Sequence, residues 1–243
     1  MPKLTEVPAL KNTKTTSYVE TCAGKIAYVE STGAGPTIFM IHGNSATKEA
    51  FEKQFDTLGA KYHLIAIDLP GHGMSDDALD PKATYSFPGY ADVMIEVAAR
   101  LNVTAATLLG WSLGGHIALE MSHKNPALVS SLILTGTPPI ELTKKGIHAG
   151  FNPFEGVEMM GCGRYFTPEE AKKFITLAGY APEDKELGIV TPNYQFFIDA
   201  AVRTDGAARE NMFNSLGAGV GNDERKLVLE YTKPIMYVME RDG

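Results

Sequence analysis

Short uninterrupted apolar runs alternate along the first half of the chain with longer stretches whose apolar positions recur about every three or four residues. Thr37–Ile41, His63–Ile67 and Ala105–Leu109 are runs of the first kind. Too short for helices and bounded by glycine, proline or polar residues, they predict strands buried on both faces. The second kind, Lys48 to Gly59, Pro88 to Leu101 and Leu113 to Asn125, predicts helices between them. Ahead of these, Tyr18–Glu20 and Ile26–Val29 flank Ala23-Gly24-Lys25 and predict an opening hairpin. A further strand is expected near Leu132–Leu134. This alternation implies right-handed crossovers and a mostly parallel sheet with helices on both faces, an α/β fold.

The pattern changes after Pro139. From there to about Leu216 no strand is expected, and segments rich in Met, Phe, Tyr and Ala predict short helices at Gly156 to Met160, Pro168 to Gly179 and Tyr194 to Val202. Pro234 to Met239 then reads as the last visible strand. The expected organisation is therefore an N-terminal core over 1–138, a helical cap over 139–216 and a C-terminal core segment over 217–243. Gly217-Ala218-Gly219-Val220-Gly221 follows no strand and precedes no Lys-Ser/Thr pair, so it is expected to be a connector rather than a phosphate loop.

Composition narrows the partners. The 243 residues carry 44% hydrophobic and 21% charged side chains with a formal net charge of -7, which argues against nucleic acid or an anionic membrane. A small molecule is the expected partner. The first residues are polar, with Pro2 and Pro8 and no apolar core, and a cytoplasmic location is expected. Cys22 and Cys162 lack ligand-like spacing and are expected to be unpaired, buried or half-buried thiols.

Candidate chemistry lies at the ends of the predicted strands. Gly110-Trp111-Ser112-Leu113-Gly114 has the form of a sharp strand-to-helix turn that lifts one serine out of the backbone. The first central strand ends in His42-Gly43-Asn44-Ser45, and the next in Asp68-Leu69-Pro70-Gly71-His72-Gly73-Met74-Ser75-Asp76. In this order the three segments resemble the α/β-hydrolase family, and the resemblance runs from about Ser17 to the last residue. Thr135-Gly136-Thr137-Pro138-Pro139 and Arg203-Thr204-Asp205-Gly206-Ala207-Ala208-Arg209 extend it to the metal-independent N-acyl-homoserine lactonases of that family.

The resemblance implies an α/β-hydrolase fold with a helical cap, lacking the final strand and helix of the family. It implies a serine hydrolase of carboxylic esters or lactones, with N-acyl-homoserine lactone as leading substrate and no cofactor or metal. Ser112 would be the nucleophile, and the backbone N–H groups of Asn44 and Leu113 would hold the oxyanion. A turn-forming role is the plainer alternative for Asn44. An aspartate nucleophile is excluded because position 112 is serine. Trp111 and Phe174 are candidate substrate contacts, and Phe151, Phe154, Met159, Met160, Tyr165, Phe166, Phe196 and Phe197 would line an acyl tunnel or pack the cap.

Base and acid are harder to place. In the family the order is Ser, then Asp or Glu, then His, whereas the histidines at 42, 63, 72, 116, 123 and 148 all precede the strand expected to carry the acid. His148, in the cap, is the one that would reach over a pocket. Asp242 is the candidate acid, although counting from Pro234 the usual carboxylate falls on Gly243. Two readings follow: an incomplete version of a longer enzyme, or a catalytically inactive relative that binds an acyl ligand. General esterase or carbon–carbon hydrolase activity fits the same core.

Overall fold

The computed structural model describes residues 15–151, 163–177, 183–184, 189–190 and 194–238. The opening hairpin, β1 (Ser17–Thr21) and β2 (Gly24–Glu30), is followed by β3 (Gly35–Ile41), β4 (Tyr62–Ile67), β5 (Ala106–Trp111) and β6 (Val129–Thr135). A two-residue pair, β7 (Glu183–Asp184) with β8 (Ile189–Val190), lies in the segment where no strand was expected. β9 (Ile235–Val238) returns to the main sheet. The described sheet runs β1-β2-β4-β3-β5-β6-β9. β1–β2 and β2–β4 are antiparallel, and every later pairing is parallel.

Strict alternation along the central strands gives the sheet two apolar faces. Phe39 and Ile41 of β3, Ile65 and Ile67 of β4, and Leu108 of β5 join one large core with Val93, Val97, Ile117 and Met121. These last belong to α3 (Phe87–Arg100) and α4 (Leu113–Lys124). Met40, Leu64, Ala66 and Leu109 point the other way, into a smaller cluster with Phe51 and Phe55. Phe55 is on α1 (Glu52–Leu58), which continues a tighter turn over Lys48–Phe51. Apolar residues at both alternating sets explain why the strands read as unbroken runs.

Helix boundaries follow local chemistry. α3 begins where Ser86 Oγ accepts from Gly89 N–H at 3.1 Å with Pro88 in the first turn. A short α2 (Pro81–Thr84) is capped likewise by Asp80. Beyond β6 lie α5 (Lys144–Phe151), α6 (Pro168–Leu177), α7 (Tyr194–Arg203), α8 (Gly206–Gly217) and α9 (Glu224–Glu230).

The 139–216 segment divides its packing. α6 and α7 share a small cluster of Ala171, Phe174, Ile175, Ile198 and Ala201, whereas Ala208, Met212 and Leu216 of α8 and Ile140 join the large core. α8 and α9 were not expected from the sequence, and the 217–221 connector is the end of α8 and the turn that follows it. The helix expected over Gly156 to Met160 lies outside the described residues. Cys22 is free but exposed, contrary to the expected burial, because it sits in the β1–β2 turn at the sheet's rim. Cys162 lies outside the described residues. No described helix is long and apolar enough to cross a membrane.

β3 sits between β4 and β5, so the chain leaves it toward one edge of the sheet and later returns on the other side. The carboxyl ends of β3 and β5 therefore border the topological switch point, where doubly wound sheets open a crevice.

Candidate active site

Ser112 occupies the corner between β5 and α4 with φ 51° and ψ −119°, a conformation that non-glycine residues rarely adopt. Both of its backbone groups are held. Its N–H donates to the Thr135 carbonyl at 2.9 Å, and its carbonyl accepts from Gly115 N–H at 2.8 Å and from Thr137 Oγ1 at 2.9 Å. The side chain caps no helix N–H and the residue is half-buried. Close packing makes the corner possible: a Cβ on Gly110 would meet the Gly114 carbonyl, and one on Gly114 would run into the Ile41 carbonyl. The half-buried Ser112 is thus held at the switch point by backbone constraint.

At the end of the neighbouring strand, the loop after β3 folds as a turn closed by Ala46 N–H to the Gly43 carbonyl at 3.2 Å. Gly43 lies close against the corner, where an added Cβ would stand 3.2 Å from Ser112 Cβ. Asn44 is half-buried, and Ser45 is buried with φ 59°. Ser45 Oγ donates to Asn44 Oδ1 at 3.3 Å. The structure therefore brings Ser112, Leu113 and the Asn44 turn to the same end of the sheet.

A buried ionic hub fixes this turn to the loop after β4. Asp68 Oδ1 accepts from Lys48 N–H at 2.7 Å, and Oδ2 accepts from Lys48 Nζ and Met74 N–H, both at 2.8 Å. Lys48 also meets Glu49 at 2.7 Å. Burial works against the Lys48 charge, but the Asp68 and Glu49 carboxylates outweigh it and raise the ammonium above its ordinary pKa. Ser75 Oγ completes the loop by donating to the Asp68 carbonyl at 2.7 Å and accepting from Ala27 N–H at 2.9 Å.

The two motif histidines are structural. His42 Nδ1–H donates to the Gly43 carbonyl at 2.8 Å and Nε2 accepts from Leu69 N–H at 3.0 Å, an arrangement that fixes the neutral tautomer. Burial pushes its pKa down to about 4, with Lys48 adding to the effect and Asp68 and the Gly43 carbonyl opposing it. His72 stands 5.2 Å from His42 and donates from Nδ1 to the Pro70 carbonyl at 3.0 Å. Burial and then the neighbouring His42 hold it well below its ordinary value.

The remaining histidines are committed elsewhere or exposed. His116 Nδ1 lies 2.8 Å from Glu224 Oε1, with its ring stacked on Phe87 at 4.7 Å. Glu224 also accepts from Ile140 N–H at 3.0 Å and thereby ties α4 and α9 to the segment leaving β6. His63 lies 3.2 Å from both Thr37 Oγ1 and Glu30 Oε2. His123 and His148 are exposed.

Of the expected substrate contacts, Trp111 is half-buried against the smaller core cluster, with its ring near Gly43 and Gly136. Phe174 is enclosed in the α6–α7 cluster beside Phe166, at 5.4 Å between ring centroids, which accounts for its burial without a ligand. Asp242, the candidate acid, lies outside the described residues, as do Phe154, Met159 and Met160. The structure adds a residue that sequence reasoning passed over: Arg209 on α8 is fully enclosed, and its Nη1 reaches Ser45 Oγ at 3.3 Å. It lies within the Arg203–Arg209 segment, so the resemblance marked the place without giving the role.

With that geometry in hand, comparison with known proteins matches residues 36–160, over half the chain, to the alpha/beta hydrolase fold family. The chain belongs to the α/β-hydrolase family. Among solved structures this chain is similar to N-acyl homoserine lactonase AidH complexed with N-butanoyl homoserine. The two share 36% identity over 94% of this chain and 78% of that one, with a TM-score of 0.81. It also resembles the pimeloyl-[acyl-carrier protein] methyl ester esterase of Nitrosospira multiformis, at 36% identity over 46% of this chain. A third relative is the 2-(acetamidomethylene)succinate hydrolase of Mesorhizobium japonicum, at 32% identity over 64% of the chain. The chain spans 42% of the length of the esterase and 59% of that of the succinate hydrolase.

Proposed function

We propose that this hydrolase cleaves carboxylic esters or lactones through a Ser112 acyl-enzyme, with N-acyl-homoserine lactone as its leading substrate. The observation that carries the reading is the strained Ser112 corner, where both backbone groups are anchored and the hydroxyl caps nothing. Likeness to the lactonase over most of both chains favours a lactone over an acyclic ester. Ser112 Oγ attacks the lactone carbonyl, and the carbonyl oxygen takes up negative charge facing the N–H groups of Leu113 and Asn44. The ring C–O bond breaks, and its oxygen takes up the proton that the Ser112 hydroxyl gave up, leaving as the hydroxyl of an N-acyl-homoserinyl ester on Ser112. Water then releases N-acyl homoserine.

Proton release on lactone opening by the full-length protein tests the reading, together with intact-mass detection of the acylated enzyme. Ser112→Ala should lower turnover by at least ~10³-fold while leaving the denaturation midpoint unchanged. Appreciable residual turnover would overturn the mechanism. Equal rates on a p-nitrophenyl ester and a lactone would replace the lactonase reading with a general esterase.

A second reading, binding without turnover, is favoured by the described histidines, each of which is hydrogen-bonded within the fold or exposed. Saturable binding of the lactone with no proton release would select it.

A further inference from the structure

Arg209 is among the largest fully enclosed side chains of the molecule, yet among the described residues no carboxylate forms an ion pair with it. Its Nε–H donates to the Gly163 carbonyl at 2.6 Å. Nη1–H groups donate to the Ala201 carbonyl at 3.1 Å and to Ser45 Oγ at 3.3 Å. The Phe166 ring covers the guanidinium at 4.2 Å. Asp205, which influences Arg209 from a distance, has its own carboxylate occupied by Tyr85 Oη at 2.8 Å and Ala207 N–H at 2.9 Å. A guanidinium buried against neutral acceptors is costly, and an apolar side chain would fill the same space without that cost. What the guanidinium adds is direction, because its planar fork fixes several acceptors relative to one another.

Those acceptors join two parts of the molecule. Gly163 lies just ahead of α6 and Ala201 lies in α7, so both belong to the cap. Ser45 belongs to the turn that carries Asn44, and its hydroxyl both accepts from Arg209 and donates to Asn44 Oδ1. A residue at φ 59° is not held there by its own preference. We propose that Arg209 is a positioning residue that transmits the seating of the cap to the Asn44–Ser45 turn, so that the oxyanion donors align when the cap is docked. The inference rests on the reading of Asn44 N–H as an oxyanion donor. It goes further in making substrate-side packing of the cap a determinant of the chemical step.

The test uses the full-length protein with Arg209→Lys, which keeps the charge and loses the fork, Ser45→Ala, which removes only the hydroxyl, and the double variant. With N-hexanoyl homoserine lactone, each single variant should lose about 10- to 100-fold in kcat while KM stays within about threefold. The double variant should be no worse than the poorer single one. Unchanged kcat in the folded single variants, a rise in KM alone, or losses that multiply in the double variant would overturn the proposal. Where Arg209→Lys fails to fold, Ser45→Ala decides. Hydrogen exchange at the Asn44–Ala46 amides gives a readout independent of turnover and should quicken in either folded variant. Unchanged exchange overturns the coupling even in an active enzyme. Quickened exchange in a protein that hydrolyses nothing supports the coupling and overturns the hydrolase reading alone.

Discussion

Two ion pairs of nearly equal length set the loops at the strand ends apart from the segment between β6 and β9. Lys48–Asp68, at 2.8 Å, is wholly enclosed, whereas Arg164–Glu210, at 2.9 Å, leaves 56% and 42% of its side chains exposed. The first pair also uses Asp68 to hold two backbone N–H groups from different segments. The second ties one side chain to another across the surface. Identical chemistry therefore fixes loop geometry in one region and contributes little in the other. The same contrast holds for apolar packing, since the large core gathers strands, α3, α4 and α8, while α6 and α7 close around a small cluster. The strand ends thus rest on the larger core, and α6 and α7 on a smaller one.

The largest effect expected from breaking this contrast comes at Lys48. Lys48→Met leaves the Asp68 carboxylate buried without its cation and should cost about 3–5 kcal/mol in urea unfolding. A loss under 1 kcal/mol would mean that the hub does not hold the loops at the strand ends. The buried His42 gives a comparable term through pH. Its folded pKa of about 4 lies below the ordinary 6.5, so the unfolded chain takes up a proton in that window while the folded chain does not. Stability should fall by about 3 kcal/mol as pH drops from 6.5 toward 4, with His72 acting in the same direction. A flat stability profile over that range would contradict the neutral tautomer assigned to His42.

Glycine substitutions sharpen the comparison further. Gly114→Ala places a methyl group against the Ile41 carbonyl and should destabilise by about 1–3 kcal/mol or more, with loss of activity. Gly217→Ala, at the end of α8 with open space around it, should be neutral or stabilise by up to about 1 kcal/mol. Equal effects at the two positions would remove the distinction between corner and periphery. The smallest effect belongs to the exposed Arg164–Glu210 pair. Arg164→Ala should change the unfolding free energy by less than about 1 kcal/mol, and a larger loss would show that the pair helps seat the cap.

The sequence exposes what is repeated or sterically punctuated. β3, β4 and β5 are legible because apolar residues fill both alternating sets, and the Ser112 corner is legible because Gly110 and Gly114 admit one close approach each. Helix α3 is marked by its cap and proline, and its observed span differs from the expected one by a residue at each end. The hub and Arg209 were not legible. A buried charge has no periodicity, and the contacts that give Lys48 and Arg209 their roles, to Asp68 and to Ser45, span 20 and 164 residues of the chain. α8 was missed for a related reason: its apolar stripe is only Ala208, Met212 and Leu216, and a buried arginine stands beside it. Phe174 shows the converse difficulty, since an aromatic residue at its place in the sequence fits either a tunnel wall or a packing core until its neighbours are known.

One detail of the corner reaches beyond hydrolysis. Thr137 Oγ1 bridges the carbonyls of Ser112 and Thr135, and the Ser112 amide is bound to that same Thr135 carbonyl, so the orientation of the Cα–Cβ bond is imposed from outside the residue. Whatever short side chain occupies the position inherits that aim. The mount is indifferent to its cargo, and a thiol in place of the alcohol would leave the backbone along the same axis with a different intrinsic nucleophilicity.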